Sequence, residues 1–153
     1  MVAKEKFVML LAEDDPDDQL LAQEALEATG LPHELITLDD GQELIDYLEV
    51  SEESDGSKGA LLPDLIVIDL NLPRLSGRQV LELLKGNERL RHIPVVVLTT
   101  SKAEEDVLGC YDLGAAGFFT KPVSFEGLVH VLESIDQYWF KMVKLPPNKP
   151  ETD

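Results

Sequence analysis

Four short stretches carry side chains that could do chemistry together. Glu13, Asp14 and Asp15 follow an apolar run, FVMLLA at 7–12. Asp69 closes DLIVID at 64–69, Thr99 closes PVVVLT at 94–99 and is followed by Thr100, and Lys121–Pro122 follow GFFT at 117–120. If these runs are neighbouring strands, the carboxylates of Glu13, Asp14 and Asp69, a hydroxyl and an ammonium converge on one rim. Two carboxylates about 4 Å apart repel by roughly 4 kcal/mol at an effective dielectric near 20. A divalent cation removes that cost. An all-oxygen donor set with no His or Cys beside it suits Mg²⁺ better than zinc. The cation and Lys121 would together offset the charge of an incoming phosphoryl group. A carboxylate can itself attack phosphorus and form an acyl phosphate. Asp69 is best placed for that role, at the end of the central strand and beside the acidic pair.

Taken singly, each residue has an ordinary explanation. Acids at strand ends are commonly solvated, Thr99 is a good strand former, and Lys121 could be any surface lysine. Their joint position depends on the elements that carry them. Strand candidates at 7–12, 34–38, 64–69, 94–99 and 117–120 alternate with helical stripes at 16–29, 40–50, 77–85, 104–113 and 125–140. In the first helix the apolar residues are Leu20, Leu21, Ala25, Leu26 and Ala28, with Pro16 in the first turn and Gly30 where a C-cap belongs. SEESDGSKG at 51–59 reads as a surface loop. Five strand–helix units predict an α/β fold, a doubly wound five-stranded parallel sheet of flavodoxin-like order 2-1-3-4-5. Ligands of such sheets bind beyond the carboxyl ends of the strands, where the four stretches meet.

The chain has 153 residues and a net charge of −17. Length favours one domain with a core of its own. The acidic balance argues against nucleic acid and against an anionic membrane surface. No apolar run reaches the ~18 residues of a membrane helix. A single cysteine, Cys110, forms no internal disulfide, so a reducing cytoplasm is expected. Cys110 reads as a small buried hydrophobe, and the scattered His33, His92 and His130 have no metal-ligand spacing.

LLAEDD at 10–15, DLNLPRLSG at 69–77, PVVVLTTS at 94–101 and GFFTKP at 117–122 resemble, in order and on the expected strands, the receiver domain of two-component response regulators. The resemblance runs from Phe7 to Trp139. It implies that Asp69 accepts a phosphoryl group from a phosphohistidine on a sensor histidine kinase. It makes Asp14 a direct Mg²⁺ ligand, Glu13 a ligand acting largely through water, and Asn71 a ligand through its backbone carbonyl. Thr99 would follow the phosphoryl oxygen, Lys121 would pair with it across a cis Lys121–Pro122 bond, and Phe118 would rotate inward once Thr99 moves. Position 13 departs mildly from the family, which prefers Asp there. A receiver domain at 1–140 followed by an extension at 141–153 leaves no room for an effector domain, so output by docking or dimerisation is expected.

The lengthened segment before the third strand, LTTS after the fourth, and YWFKMVKLPP at 138–147 narrow the resemblance to regulators paired with bacterial phytochromes. In that subfamily helix four, strand five, helix five and the extension form a homodimer contact. Tyr138, Trp139, Phe140, Met142 and Val143 cover more than one helical face, which suggests a partner surface, unless the tail folds back on its own domain.

Two other classes share parts of this pattern. A Mg²⁺-dependent aspartyl phosphatase would place a general acid two residues past the nucleophile, where Asn71 cannot serve. A flavin carrier needs a donor-rich loop after strand one, and EDDPDD would repel a flavin phosphate. A phosphorylation-independent adaptor would not need every position of the site filled. The expected protein is a signalling module, not an enzyme.

Overall fold

The computed structural model describes residues 7–54, 62–100 and 103–142. β1 (Phe7–Ala12), α1 (Pro16–Thr29), β2 (His33–Leu38), α2 (Gly41–Ser54), β3 (Leu65–Ile68), α3 (Gly77–Lys85), β4 (Val95–Thr99), α4 (Glu104–Asp112), β5 (Gly117–Thr120) and α5 (Phe125–Ile135) alternate along the chain. All strand pairs are parallel and the order is β2-β1-β3-β4-β5, as the alternation predicts.

The period-two direction of a strand explains the continuous apolar runs, because both sheet faces are covered by helices. Leu10, Ala12, Ile66, Ile68, Val95 and Val97 point to one core with Leu44, Leu48, Val80, Leu81 and Leu84. Met9, Leu11, Leu65, Val67, Val96 and Leu98 point to the other, with Ala25, Leu26, Leu132 and Ile135. Each of the larger side chains among them contributes roughly 1.5–3 kcal/mol of burial. Cys110 is fully buried in the first of these cores, and burial pushes its thiol pKa up.

Local signals start and stop the helices. Asp15 caps α1 by accepting from Asp17 N–H at 2.9 Å, with Pro16 in the first turn. Gly30 ends it at φ 72°, a conformation that glycine adopts without steric cost. Ser76 and Gln79 form a capping box at the start of α3.

Three sequence expectations change. On α1 the buried stripe is Ala22, Ala25 and Leu26, while Leu20, Leu21 and Ala28 face solvent. Ala22 and Ala25 with Leu26, not Leu20 and Leu21, let α1 close on the sheet and α5. α2 runs through residues 51–54, expected as loop, because polar side chains alone do not stop a helix and no glycine intervenes before Gly56. The rest of that expected loop, 55–59, lies outside the described residues. α5 winds as an α-helix only to Ile135 and continues as a π-helix over Asp136–Met142.

That wider winding brings Trp139 onto the sheet edge. It is buried against the second core, its ring close over Gly117, with Tyr138 edge-on at 4.7 Å and exposed. Trp139 is therefore a core residue, as the reading in which the chain end folds back on its own domain expects. The rest of the expected cluster, the side chains of Phe140 and Met142 and residue Val143, lies outside what is described.

Candidate functional site

Sheet register assembles the rim. Ala12 pairs with Ile68 and Ile68 with Val97, so the chain leaves β1 and β3 at the same level. Asp69 N–H donates to Ala12 O at 3.3 Å, which sets Glu13 and Asp69 side by side. Thr99 pairs with Thr120, and Lys121 N–H donates to Thr99 O at 2.7 Å. Residues from four separated stretches thus meet without help from loop conformations.

Lys121 stands at the centre. Its ammonium pairs with Glu13 Oε1, with Asp69 Oδ2 at 2.9 Å and with Asp18 Oδ2 at 3.3 Å. Glu13 is buried, and its second oxygen accepts from Asp15 N–H at 3.0 Å. Desolvation raises the Glu13 pKa, although Lys121 and the Asp15 N–H work against it. Desolvation pulls Lys121 the other way, but the Glu13 and Asp69 carboxylates overcome it and hold the ammonium well above its ordinary value. The lysine is charged at any physiological pH.

Asp69 is buried, and its Oδ1 accepts from the Thr99 hydroxyl at 3.1 Å and from Asn71 N–H at 3.0 Å. Thr99 is wholly buried, and Phe118, which pairs with Val97 two residues before Thr99, is half-buried against the first core. Asp14 and Asn71 are exposed at the mouth. The peptide between Lys121 and Pro122 is trans, not cis as the resemblance implied. The ammonium reaches both carboxylates from that backbone, with the Lys121 N–H anchored on β4.

The donors here are carboxylate oxygens, the chemistry of a hard divalent cation. Among the described residues no three acidic, His or Cys side chains close on one point as a ready cage. An exposed Asp14 and a buried Asp69 at the same end of the sheet fit an ion that keeps several waters and takes one or two carboxylates, as Mg²⁺ does.

Three residues of the site escaped the sequence reading. Asp18 supplies the third carboxylate on Lys121. Gln19 donates from Nε2 to Glu13 O at 2.6 Å and to Asp39 Oδ1 at 2.7 Å, tying the acidic loop to the one after β2. Arg74 reaches Asp40 at 3.3 Å. For Asp18 the available signal was its place in the first turn of α1, directly after the acidic run that ends β1.

Gly77 sets how closely α3 approaches Asp69. A Cβ there would lie 2.6 Å from Asp69 O and 2.8 Å from Leu70 Cα, both backbone atoms that cannot rotate away. Gly77→Ala is expected to lower unfolding free energy by about 1–3 kcal/mol in urea titration. It should also displace the Asp69 carbonyl. Unchanged stability would show that α3 is free to slide.

Comparison with known proteins agrees with this geometry. The sequence model of the family described as response regulator receiver domain matches residues 9–133. The chain is 41% identical over 139 residues to response regulator Rcp1 of Synechocystis sp., covering 91% of this chain and 92% of that one. It is 38% identical over 144 residues to the probable methanogenesis regulatory protein FilR2 of Methanothrix harundinacea, covering 94% and 90%. The crystal structure of the phosphorylated cyanobacterial phytochrome response regulator RcpA superposes with a TM-score of 0.82 at 39% identity, over 93% of this chain and 99% of that one. The Mn²⁺-bound form of Rcp1 gives 0.79 at 39%, over 92% and 99%. With the sheet order, the acidic rim and these matches in agreement, the chain belongs to the response-regulator receiver family of two-component signalling.

Proposed function

We propose that this chain is a response regulator that accepts a phosphoryl group on Asp69 from the phosphohistidine of a sensor histidine kinase. The observation that carries the reading is the seating of Asp69 between the Lys121 ammonium at 2.9 Å and the Thr99 hydroxyl at 3.1 Å. An Asp69 oxygen attacks phosphorus in line with the departing imidazole nitrogen. The P–N bond breaks, a P–O bond forms, and the imidazole keeps the electron pair. Lys121 then pairs with a phosphoryl oxygen and Thr99 donates to another. Asp14, Asp69, the Asn71 carbonyl and, through water, Glu13 would hold Mg²⁺, which when bound offsets charge on the transferring oxygens.

Output is a change of surface. On phosphorylation the Thr99 hydroxyl follows the phosphoryl oxygen, and Phe118 rotates into the space that Thr99 leaves. Leu108 and Tyr111 lie exposed on α4, on the face where a homodimer contact through α4, β5, α5 and the extension would form. The likeness to RcpA, a phytochrome response regulator, supports a phytochrome-type kinase as donor, and phosphotransfer from such a purified kinase tests it. Among the described residues no helix is long and apolar enough to cross a membrane, in keeping with a cytoplasmic site of action. A turnover phosphatase is the weaker reading, because Asn71 stands where its general acid would be.

The test is intact-mass spectrometry after incubation with Mg²⁺ and a small phosphoryl donor such as acetyl phosphate. One hydroxylamine-labile phosphoryl group on the peptide containing Asp69, lost with chelator, is expected. Label elsewhere, or none, would overturn the assignment. Sustained hydrolysis of phosphate esters would favour the phosphatase.

A further inference from the structure

Arg74 has the backbone of a glycine without being one. Its φ is 67°, the one positive φ outside glycine among the described residues. Leu75 N–H donates to Pro73 O at 2.8 Å, closing a three-residue γ-turn around it, a strained geometry. Glycine would take this conformation without the Cβ clash. Strain of this kind persists only where the surroundings hold it.

Those surroundings are the start of α2. Arg74 Nη1 lies 3.3 Å from Asp40 Oδ2, and Asp40 is buried. The other Asp40 oxygen accepts from Glu43 N–H at 2.8 Å, so the carboxylate is fixed to the first turn of the helix. Next to it, a Cβ on Gly41 would strike the Leu75 carbonyl and lie 2.7 Å from Leu75 Cβ, so the turn sits directly on α2. The opposite end of the segment is tied to the site. Asn71 N–H donates to Asp69, and Gly77 N–H to Leu70 O at 3.0 Å. Arg74 itself is largely exposed, and exposed ion pairs add little to stability. Its anchoring therefore matters for where the segment sits more than for whether the domain folds.

We propose that Arg74 is a positioning residue for phosphorylation: its ion pair with Asp40 holds the strained turn against α2, and thereby keeps the Asn71 carbonyl where it serves the cation at Asp69. This rests on the function proposed above and adds α2 to the working parts of the site.

Three variants separate strain from anchorage. Arg74→Gly loses the anchor and relieves the strain, Arg74→Ala loses the anchor and keeps it, and Arg74→Lys keeps a charge that can reach Asp40. Mn²⁺ affinity is read by titration calorimetry, labelling from acetyl phosphate by intact mass, and folding by thermal melt. Arg74→Gly is expected to melt at or above wild type, yet to bind Mn²⁺ about 3–10-fold more weakly and to need correspondingly more Mg²⁺ for half-maximal labelling, with the saturated rate little changed. Arg74→Ala should match it in metal affinity while melting lower, and Arg74→Lys should recover part of the loss. Wild-type metal affinity in Arg74→Gly would overturn the inference while leaving the acceptor site intact. A wild-type protein that neither binds Mn²⁺ nor takes label would instead overturn the reading of the site itself.

Discussion

Asp69→Asn is expected to take no label from acetyl phosphate and Mg²⁺ while remaining folded. The carboxamide oxygen of the variant can still accept from Thr99 Oγ1 and Asn71 N–H, the bonds now made by Asp69 Oδ1. What disappears is the nucleophile, since an amide oxygen cannot form the acyl phosphate. The ion pair to Lys121 is lost with it, but Lys121 keeps Glu13 and Asp18. Removing the Asp69 charge also relieves a repulsion that pushes Glu13 toward protonation. These terms oppose one another, so the unfolding free energy should shift by no more than about 1 kcal/mol. The mass spectrum and the urea titration together make the result specific. Label retained at wild-type level would remove Asp69 from the mechanism. Loss of both label and fold would mean that its role includes holding the rim together.

The sheet was legible because its strands are buried on both sides and therefore continuously apolar. FVMLLA and LIVI can be little else between helical stripes. The rim followed, since parallel register brings residues 13, 69, 99 and 121 to the same carboxyl edge of the sheet, within two residues of one level. Side-chain direction on helices was less legible. Leu20 and Leu21 outweigh Ala22 in hydrophobicity, yet α1 packs through Ala22, Ala25 and Leu26 because close approach rewards small residues on that face. The π-helical winding that seats Trp139 also escaped, because three consecutive aromatics give no period to read. Asp18 was one of five acids in EDDPDD, and Arg74 a lone charge in a chain with 30 acidic and 13 basic residues. Only tertiary structure shows that one shares Lys121 and that the other anchors a strained turn.

Lys121→Met should produce the largest loss of stability at neutral pH, and pH should unmask its cause. The substitution keeps the length and apolar stem of the side chain and removes the charge between two buried carboxylates, Glu13 and Asp69. Breaking a buried pair by deleting one partner typically costs about 3–5 kcal/mol. The Asp18 side chain at the mouth is partly exposed and lets water in, so about 2–4 kcal/mol is expected here. Glu13 already has a raised pKa, and without Lys121 it rises further. A carboxyl whose folded pKa exceeds its unfolded value contributes most below the unfolded value, 4.5, and that contribution is lost as pH rises through the folded pKa. The variant therefore recovers relative to wild type on acidification. Lys121 has the complementary sign. Its folded pKa is raised, so its contribution to wild-type stability is complete below the ordinary 10.5 and is lost only at higher pH. The gap between the two proteins, measured by thermal melts in chelator across pH 4.5 to 11, should thus be widest from neutrality to about pH 10. It should narrow at both ends. A gap independent of pH would mean that Lys121 stabilises through its methylene stem alone, and the electrostatic account of the rim would fail.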